Sequence, residues 1–379
     1  MKIVRGILLV LAALVVLVVV AAFSYRAMWQ HRIANKTRIT SPNGIDEAKF
    51  IEVNGAEEWI TIRGENKDNP VILFLHGGPS EANSPFVEFY TPFEKDFVFV
   101  QWDQPGAGKT YIRAGSHQPK LAIESMAADG IAVAEYVKTE LHKPKIILIG
   151  QDWGGVLGVR MIEQRPDLFA AFVGTGQIVG MAGTQGVLYE YALSHATATH
   201  DEKMLAALKQ IGPPPYRTLE RYGQFQDCCR NPFWPPDDVA AINRMKGVLI
   251  VSPSLSIAEV SGWTKGLRTG EKELDTMLMT MEDLRKTDTA FSVPVFFIQG
   301  EDDNVTPTSM VADYISNIQA PVKKLDIVPG AGHFVMWTHP NEFLDFLRED
   351  VRSVSGQRRR SGGGQTTFSA FCELSCEDC

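Results

Sequence analysis

The chain has 379 residues, 45% hydrophobic and 22% charged, with 37 basic against 45 acidic side chains and a formal net charge of −8. Such a length holds one large domain or two ordinary ones around a substantial core, and the composition excludes a disordered or fibrous chain. The acidic balance leaves no basic face for nucleic acid, and five cysteines are too few for a disulfide scaffold.

In chain order, the first feature is an uncharged apolar run from Gly6 to Phe23. At 1.5 Å per residue this run spans about 27 Å, close to the hydrocarbon thickness of a bilayer. Lys2 and Arg5 precede it, and Ala22-Phe23-Ser24 makes only a passable small-x-small cleavage site. Residues 1–33 are therefore expected to form an N-terminal membrane anchor or signal segment. A single uncleaved anchor is favoured over an exported, cleaved chain. Its orientation is not set, because Arg26, Arg32, Lys36 and Arg38 balance the basic residues before the run.

From about Glu47 short β-rich runs alternate with helical stretches. KFIEV (49–53) and EWITI (58–62) read as a hairpin about Asn54-Gly55. VILFLH (71–76), FVFVQW (97–102), KIILIG (145–150), AAFVGTG (170–176), VPVFFIQG (293–300) and KKLDIV (323–328) follow, several of them continuously apolar. Continuous apolar runs suit strands buried on both faces of a mostly parallel sheet, and the helices between them, such as 121–141 and 156–163, predict an α/β class. The rhythm breaks from about Gly183, which predicts a helical insertion. The expected division is a core over 34–182 and 291–352, a helical cap over 183–290, and a flexible polar tail over 353–379.

The sharpest motif is Gly150-Gln151-Asp152-Trp153-Gly154-Gly155, after the strand KIILIG and before a helix. It has the form of a nucleophile elbow, with Asp152 where serine usually stands. The rival reading is an ordinary strand–turn–helix with Asp152 as N-cap. VPVFFIQG ends in Glu301-Asp302-Asp303, and KKLDIV leads to Gly332-His333. Nucleophile, acid and histidine thus follow in order, each beyond the carboxyl end of a strand. Asp303 is taken as the acid, ahead of Asp302, and His333 as the general base. His76-Gly77-Gly78-Pro79 follows a strand in the position that supplies an oxyanion-hole amide, so the backbone N–H groups of Gly78 and Trp153 are assigned to that hole.

These motifs make residues 45–350 resemble the α/β-hydrolase superfamily, and within it the proline iminopeptidase branch, through FLHGGPS, QWDQPGAGKT, QDWGG and GAGHF. The resemblance implies a mostly parallel sheet flanked by helices, with a helical cap inserted before the catalytic acid. The branch carries serine where Asp152 and Gly155 stand, glycine at Ser80 and arginine at Pro105. Epoxide hydrolases and haloalkane dehalogenases instead have Asp-Trp-Gly-Gly at the elbow. A carboxylate serves well in displacement at an sp3 carbon but poorly in amide cleavage. An epoxide hydrolase-like reaction on a small organic substrate is therefore expected, through an Asp152–His333–Asp303 triad. The alternatives are a proline iminopeptidase-like aminopeptidase or esterase, and an inactive membrane-tethered homologue.

The epoxide hydrolase likeness implies cap tyrosines as acids for the leaving alkoxide, with Tyr189, Tyr191, Tyr216 and Tyr222 as substrate-binding candidates. Dehalogenation is disfavoured: the Trp153 indole offers one halide donor, but Gly78 lacks another. The glutamates that hold a substrate amine in iminopeptidases have no matching motif. Asp103 to Thr110 resembles a phosphate loop but begins with a carboxylate, and reads as a tight turn lining the site. Cys372, Cys376 and Cys379 have a spacing reminiscent of a cluster site but read as part of a disordered tail, and Cys228-Cys229 reads as two reduced thiols, with a strained disulfide as the alternative if the domain lies outside the cytoplasm. No metal or cofactor is assigned. The expected partners are a small-molecule substrate and, through the N-terminal segment, a membrane; the oligomeric state is unset.

Overall fold

The computed structural model describes residues 2–354. The chain opens with helix α1 (Lys2–Lys36), whose residues 3–36 are long and apolar enough to cross a bilayer. Strands β1 (Ile45–Val53) and β2 (Ala56–Gly64) form an antiparallel hairpin. Its turn is Asn54-Gly55, both at positive φ, which matches the right-handed twist of the flanking strands. Then come β3 (Val71–Leu75), β4 (Val98–Asp103), α2 (Gly108–Ala114), α3 (Ile123–Glu140), β5 (Ile146–Gln151), α4 (Trp153–Gln164) and β6 (Phe169–Thr175). Six helices intervene before the next strand: α5 (Met181–Ala198), α6 (Glu202–Ile211), α7 (Leu219–Phe233), α8 (Pro236–Val251), α9 (Ile257–Leu278) and α10 (Leu284–Thr287). The chain returns with β7 (Val295–Gly300), α11 (Thr308–Asn317), β8 (Lys323–Val328), α12 (Val335–Thr338) and α13 (Pro340–Phe346).

The strands form one eight-stranded sheet in the order β1-β2-β4-β3-β5-β6-β7-β8, parallel from β4 onward. Because side chains alternate along a strand, each apolar run feeds two cores at once. Leu73 and Leu75 of β3 point to one core, with Val133 and Val137 of α3, Val156 and Leu157 of α4, and Val311 of α11. Ile72 and Phe74 point to the other, with Phe86 and Phe93 and the C-terminal Phe343 and Leu347. The helices between β6 and β7 have a core of their own, in which Leu188, Met204, Leu208, Tyr216 and Phe225 meet. The apolar strand runs therefore secured the expected fold class.

The sheet also decides where a site can form. After β3 the chain turns outward to β4, then crosses back to β5, so β3 and β5 are neighbours whose following loops diverge. Open α/β sheets place their sites in the crevice at such a point. The Cys372, Cys376 and Cys379 spacing, with residues 355–379 of the expected tail, lies outside the described residues. Cys228 and Cys229 are free thiols.

Candidate active site

Leu75 of β3 lies opposite Gly150 of β5, which brings His76–Pro79 against Asp152. Asp152 sits between β5 and α4 at φ 52° and ψ −116°, a conformation that costs a non-glycine residue of order 1–3 kcal/mol. The glycines around it are forced by contact. A Cβ on Gly154 would lie 2.2 Å from the Leu75 carbonyl oxygen, and one on Gly150 2.4 Å from that of Gly154. Asp152 occupies the N-cap position of α4 but makes no side-chain cap bond. Its Oδ2 instead accepts the Gly78 N–H at 2.9 Å, and the Trp153 N–H also favours the carboxylate. Burial pushes its carboxyl up from the ordinary range, while His333 and the two N–H groups oppose that shift. Oδ2 thus lies against the Gly78 amide, and the Trp153 amide is close enough to the carboxylate to favour its charge.

His333 reaches Asp152 from beyond β8. Gly176, at φ +54° after β6, leaves room for the ring; a Cβ there would be 2.7 Å from His333 Cε1. His333 Nδ1 lies 3.1 Å from Asp303 Oδ2. Asp303 Oδ1 accepts the N–H groups of Val305 and Thr306 at 3.0 and 2.9 Å, and its Oδ2 the Thr306 hydroxyl at 2.8 Å. This buried acceptor is therefore held rigidly, whereas neighbouring Asp302 is exposed. On the other side His333 Nε2 lies 4.0 Å from Asp152 Oδ1, too far for a hydrogen bond. Burial pushes the imidazolium down, but Asp303, Asp152 and Asp238 outweigh it and lift its pKa to about 9.

The cap grips this histidine, which sequence reasoning did not anticipate. Asp238, in the first turn of α8, accepts the backbone N–H of His333 at 2.6 Å and that of Phe334 at 3.2 Å. Trp234 meets the His333 ring edge-on and stacks on Phe334. No local signal marks Asp238 among the chain's other acidic residues, since only the fold brings α8 to the histidine loop.

Above Asp152 is a cleft of about 240 Å³, adjoined by a chamber of about 490 Å³ that shares Tyr222, Gln226, Trp234 and Val305 with it. Glu81, Glu271 and Asp275 line the cleft with Asp152. Burial, then the charges of Asp152 and Glu271, lifts Glu81 to about 7, and burial, then Glu271 and Asp152, lifts Asp275 to about 7. Burial also raises Glu271. Only Glu81 had a local signal, three residues beyond Gly78.

Of the four tyrosine candidates, Tyr222 alone lines the cleft, and burial followed by the charges of Asp275 and Asp152 raises its phenol well above the ordinary value. Tyr216 is a packing residue whose hydroxyl donates to the Gly212 carbonyl at 2.8 Å. Tyr189 packs on Phe225, and Tyr191 is partly exposed beside His195. Two further expectations need correction. The Trp153 indole donates to Gln104 Oε1 at 2.9 Å and is fully buried, so it presents no halide donor. The Asp103–Thr110 turn does not line the cleft. Its Asp103 carboxylate accepts the Lys109 N–H and the Ser84 hydroxyl, and the turn supports the site from one layer out.

The chain belongs to the alpha/beta hydrolase fold family, whose model matches residues 70–340. Its relatives place it near the proline iminopeptidase branch. It is 25% identical over 310 residues to a probable aminopeptidase of Bacillus subtilis, covering 80% of this chain and 96% of that one. A proline iminopeptidase of Lactobacillus helveticus is 24% identical, with 78% and 94% covered. Epoxide hydrolase 3 of Xenopus tropicalis is 23% identical, with 75% and 73% covered. Among solved structures, a bacterial membrane phospholipase A has a TM-score of 0.58 at 16% identity over 94% of this chain and 99% of that one, a likeness of fold.

Proposed function

We propose that this hydrolase acts on a small organic substrate by nucleophilic displacement at an sp3 carbon, as epoxide hydrolases do, from a domain tethered to a membrane by α1. The observation that carries the reading is the Asp152 carboxylate at the elbow, with Oδ2 on the Gly78 N–H and Oδ1 facing His333. Oδ1 attacks the epoxide carbon, the C–O bond of the ring breaks, and the released alkoxide takes a proton from the Tyr222 hydroxyl. The product of this step is an ester on Asp152, whose carbonyl oxygen is Oδ2, already in the oxyanion hole.

Ester formation removes the Asp152 charge, one of the three that raise the His333 pKa, so the imidazole becomes available as a base. The 4.0 Å gap between Nε2 and Oδ1 leaves space for a water that gives its proton to Nε2 and attacks the ester carbon. As the tetrahedral intermediate collapses, the imidazolium gives that proton to the departing alkoxide, and the carboxylic acid left on Asp152 returns its own proton to the Tyr222 phenolate, which restores the carboxylate. Asp303 orients the ring and stabilises the imidazolium.

A second reading, an aminopeptidase-like enzyme or esterase, has its support in the acidic cleft of Glu81, Glu271 and Asp275, which suits a substrate amine, and in the named relatives. A panel of epoxides, haloalkanes, esters and proline arylamides, run on wild type and Asp152→Ser, separates the two. The expected result is epoxide opening by wild type, lost in the serine variant. Robust cleavage of proline arylamides by wild type would overturn the displacement mechanism.

A further inference from the structure

Helix α1 is unbroken from Lys2 to Lys36, so whatever holds its second half also sets the position of its first half. Most large apolar side chains from Ile3 to Phe23 are more than half exposed on the protein. Beyond them the same helix docks. Arg26 Nε donates to the Ile250 carbonyl at 2.9 Å, its guanidinium also reaches that of Leu255, and Gln30 Nε2 donates to that of Ser252 at 2.9 Å. Ile33 and Thr37 are buried against the body of the protein.

All three carbonyls belong to the end of α8 and the turn into α9, so α1 fixes that turn beside the end of its own apolar run. Ala22, Phe23 and Tyr25 of α1 and Ile250, Ile257 and Val260 of the cap line an open groove there of about 630 Å³. Ile250 and Ile257 are 59% and 51% exposed, at the level where the apolar run ends. Tyr25 and Trp29 pack edge to face just beyond, with the Arg32 guanidinium 5.2 Å from the Trp29 ring centre. Aromatic and basic side chains in that order mark the headgroup region of a bilayer.

We propose that the α8–α9 turn is a second membrane contact, with Ile250 and Ile257 seated among lipid acyl chains at the headgroup boundary beside Phe23. The proposal rests on the reading of α1 as a membrane anchor. The occupant follows from continuity: a rigid helix that spans the bilayer places this groove at its edge, where acyl chains are the nearest apolar matter. Helix α8 gives the contact a consequence for the site. Val239, Ile242, Lys246 and Ile250 recur at three- and four-residue spacing on one face; the first three line the chamber beside the cleft, and Ile250 faces the groove. The 16 residues of α8 span about 24 Å, so this one helix joins the groove to the chamber beside the cleft along a mostly apolar face.

The test uses the full chain reconstituted in phosphatidylcholine–phosphatidylglycerol vesicles. An environment-sensitive fluorophore is introduced through a non-natural amino acid at position 14, 250, 257 or 167, leaving the native cysteines in place. Asp167 is an exposed control just before β6, at the amino end of the parallel strands. Doxyl quenchers at the fifth and at the twelfth acyl carbon report on the headgroup boundary and on the middle of the bilayer; roughly half or more of the signal should be lost at 250 and 257 with the first and at 14 with the second, against almost none at 167 with either. Quenching at 14 without quenching at 250 and 257 would overturn the cap contact and leave the anchor standing. No quenching at 14 would overturn both.

Discussion

Replacing Asp238 by asparagine tests how the cap acts on the histidine. Asp238 is fully buried and accepts two backbone N–H groups, those of His333 and Phe334. Asparagine has the same shape but one acceptor oxygen, so its NH2 group faces one of the two donors. A buried donor left unsatisfied costs about 1–3 kcal/mol, and urea unfolding should show a loss of that size. The substitution also removes a negative charge beside the imidazole. Burial pushes His333 down, yet Asp303, Asp152 and Asp238 lift it from its ordinary 6.5 to about 9. Asp238 is the last of the three contributors, so its removal should lower the His333 pKa, though by less than the loss of Asp303 or Asp152 would.

NMR titration of protein labelled at histidine Cε1 reads this directly, with the His333 signal identified by its absence in His333→Gln. The sign for stability follows from linkage. A folded pKa above the unfolded one makes a contribution that is fully present below about pH 6.5 and lost as pH rises through about 9. The stability gap between wild type and Asp238→Asn should therefore be wider at pH 6 than at pH 10. A His333 pKa unchanged in the variant, with a gap that does not vary with pH, would refute the coupling.

Other substitutions probe the elbow, the acid and the cleft. Gly154→Ala places a Cβ 2.2 Å from the Leu75 carbonyl oxygen, so thermal unfolding should show a loss of at least about 3 kcal/mol or no folded protein. Tyr222→Phe should slow epoxide opening by about 10²-fold or more in single-turnover kinetics, while hydrolysis of a preformed ester on Asp152 keeps its rate. Tyr189→Phe and Tyr191→Phe should leave both steps unchanged. Glu271→Gln combined with Asp275→Asn should raise KM for amine-bearing substrates about tenfold or more and leave neutral ones unaffected, as expected where charged hydrogen bonds of about 1.5–3 kcal/mol are lost.

The fold was legible because strands buried on both faces must be mostly apolar, and VILFL, VFVQW and VFFIQG are, with Gln101 and Gln299 as their buried polar exceptions. The residues that the structure gathers around the cleft floor were legible for a related reason. Gly78, Asp152, Asp303 and His333 each lie just past a strand, and parallel strands deliver such loops to one edge. The cap obeys no such rule. Its helices pack on one another and lean on the sheet through contacts far apart in sequence, such as Asp238 on His333, 95 residues away. Spacing therefore left Tyr189, Tyr191, Tyr216 and Tyr222 equivalent, although only Tyr222 faces the cleft. The Trp153 indole misled for another reason: the elbow turns it toward Gln104, beneath the site.

The central claim is that Asp152 forms a covalent ester, and trapping that ester tests it most directly. In His333→Gln, water attack is slowed while the elbow, the oxyanion hole and Tyr222 remain. Incubation with an aryl epoxide such as styrene oxide, followed by proteolysis and mass spectrometry, should find the mass of one substrate molecule added to the peptide carrying Asp152, and fragmentation should place it on that residue. If wild type turns over the same epoxide while the variant carries no adduct, or carries it elsewhere, the displacement mechanism is contradicted.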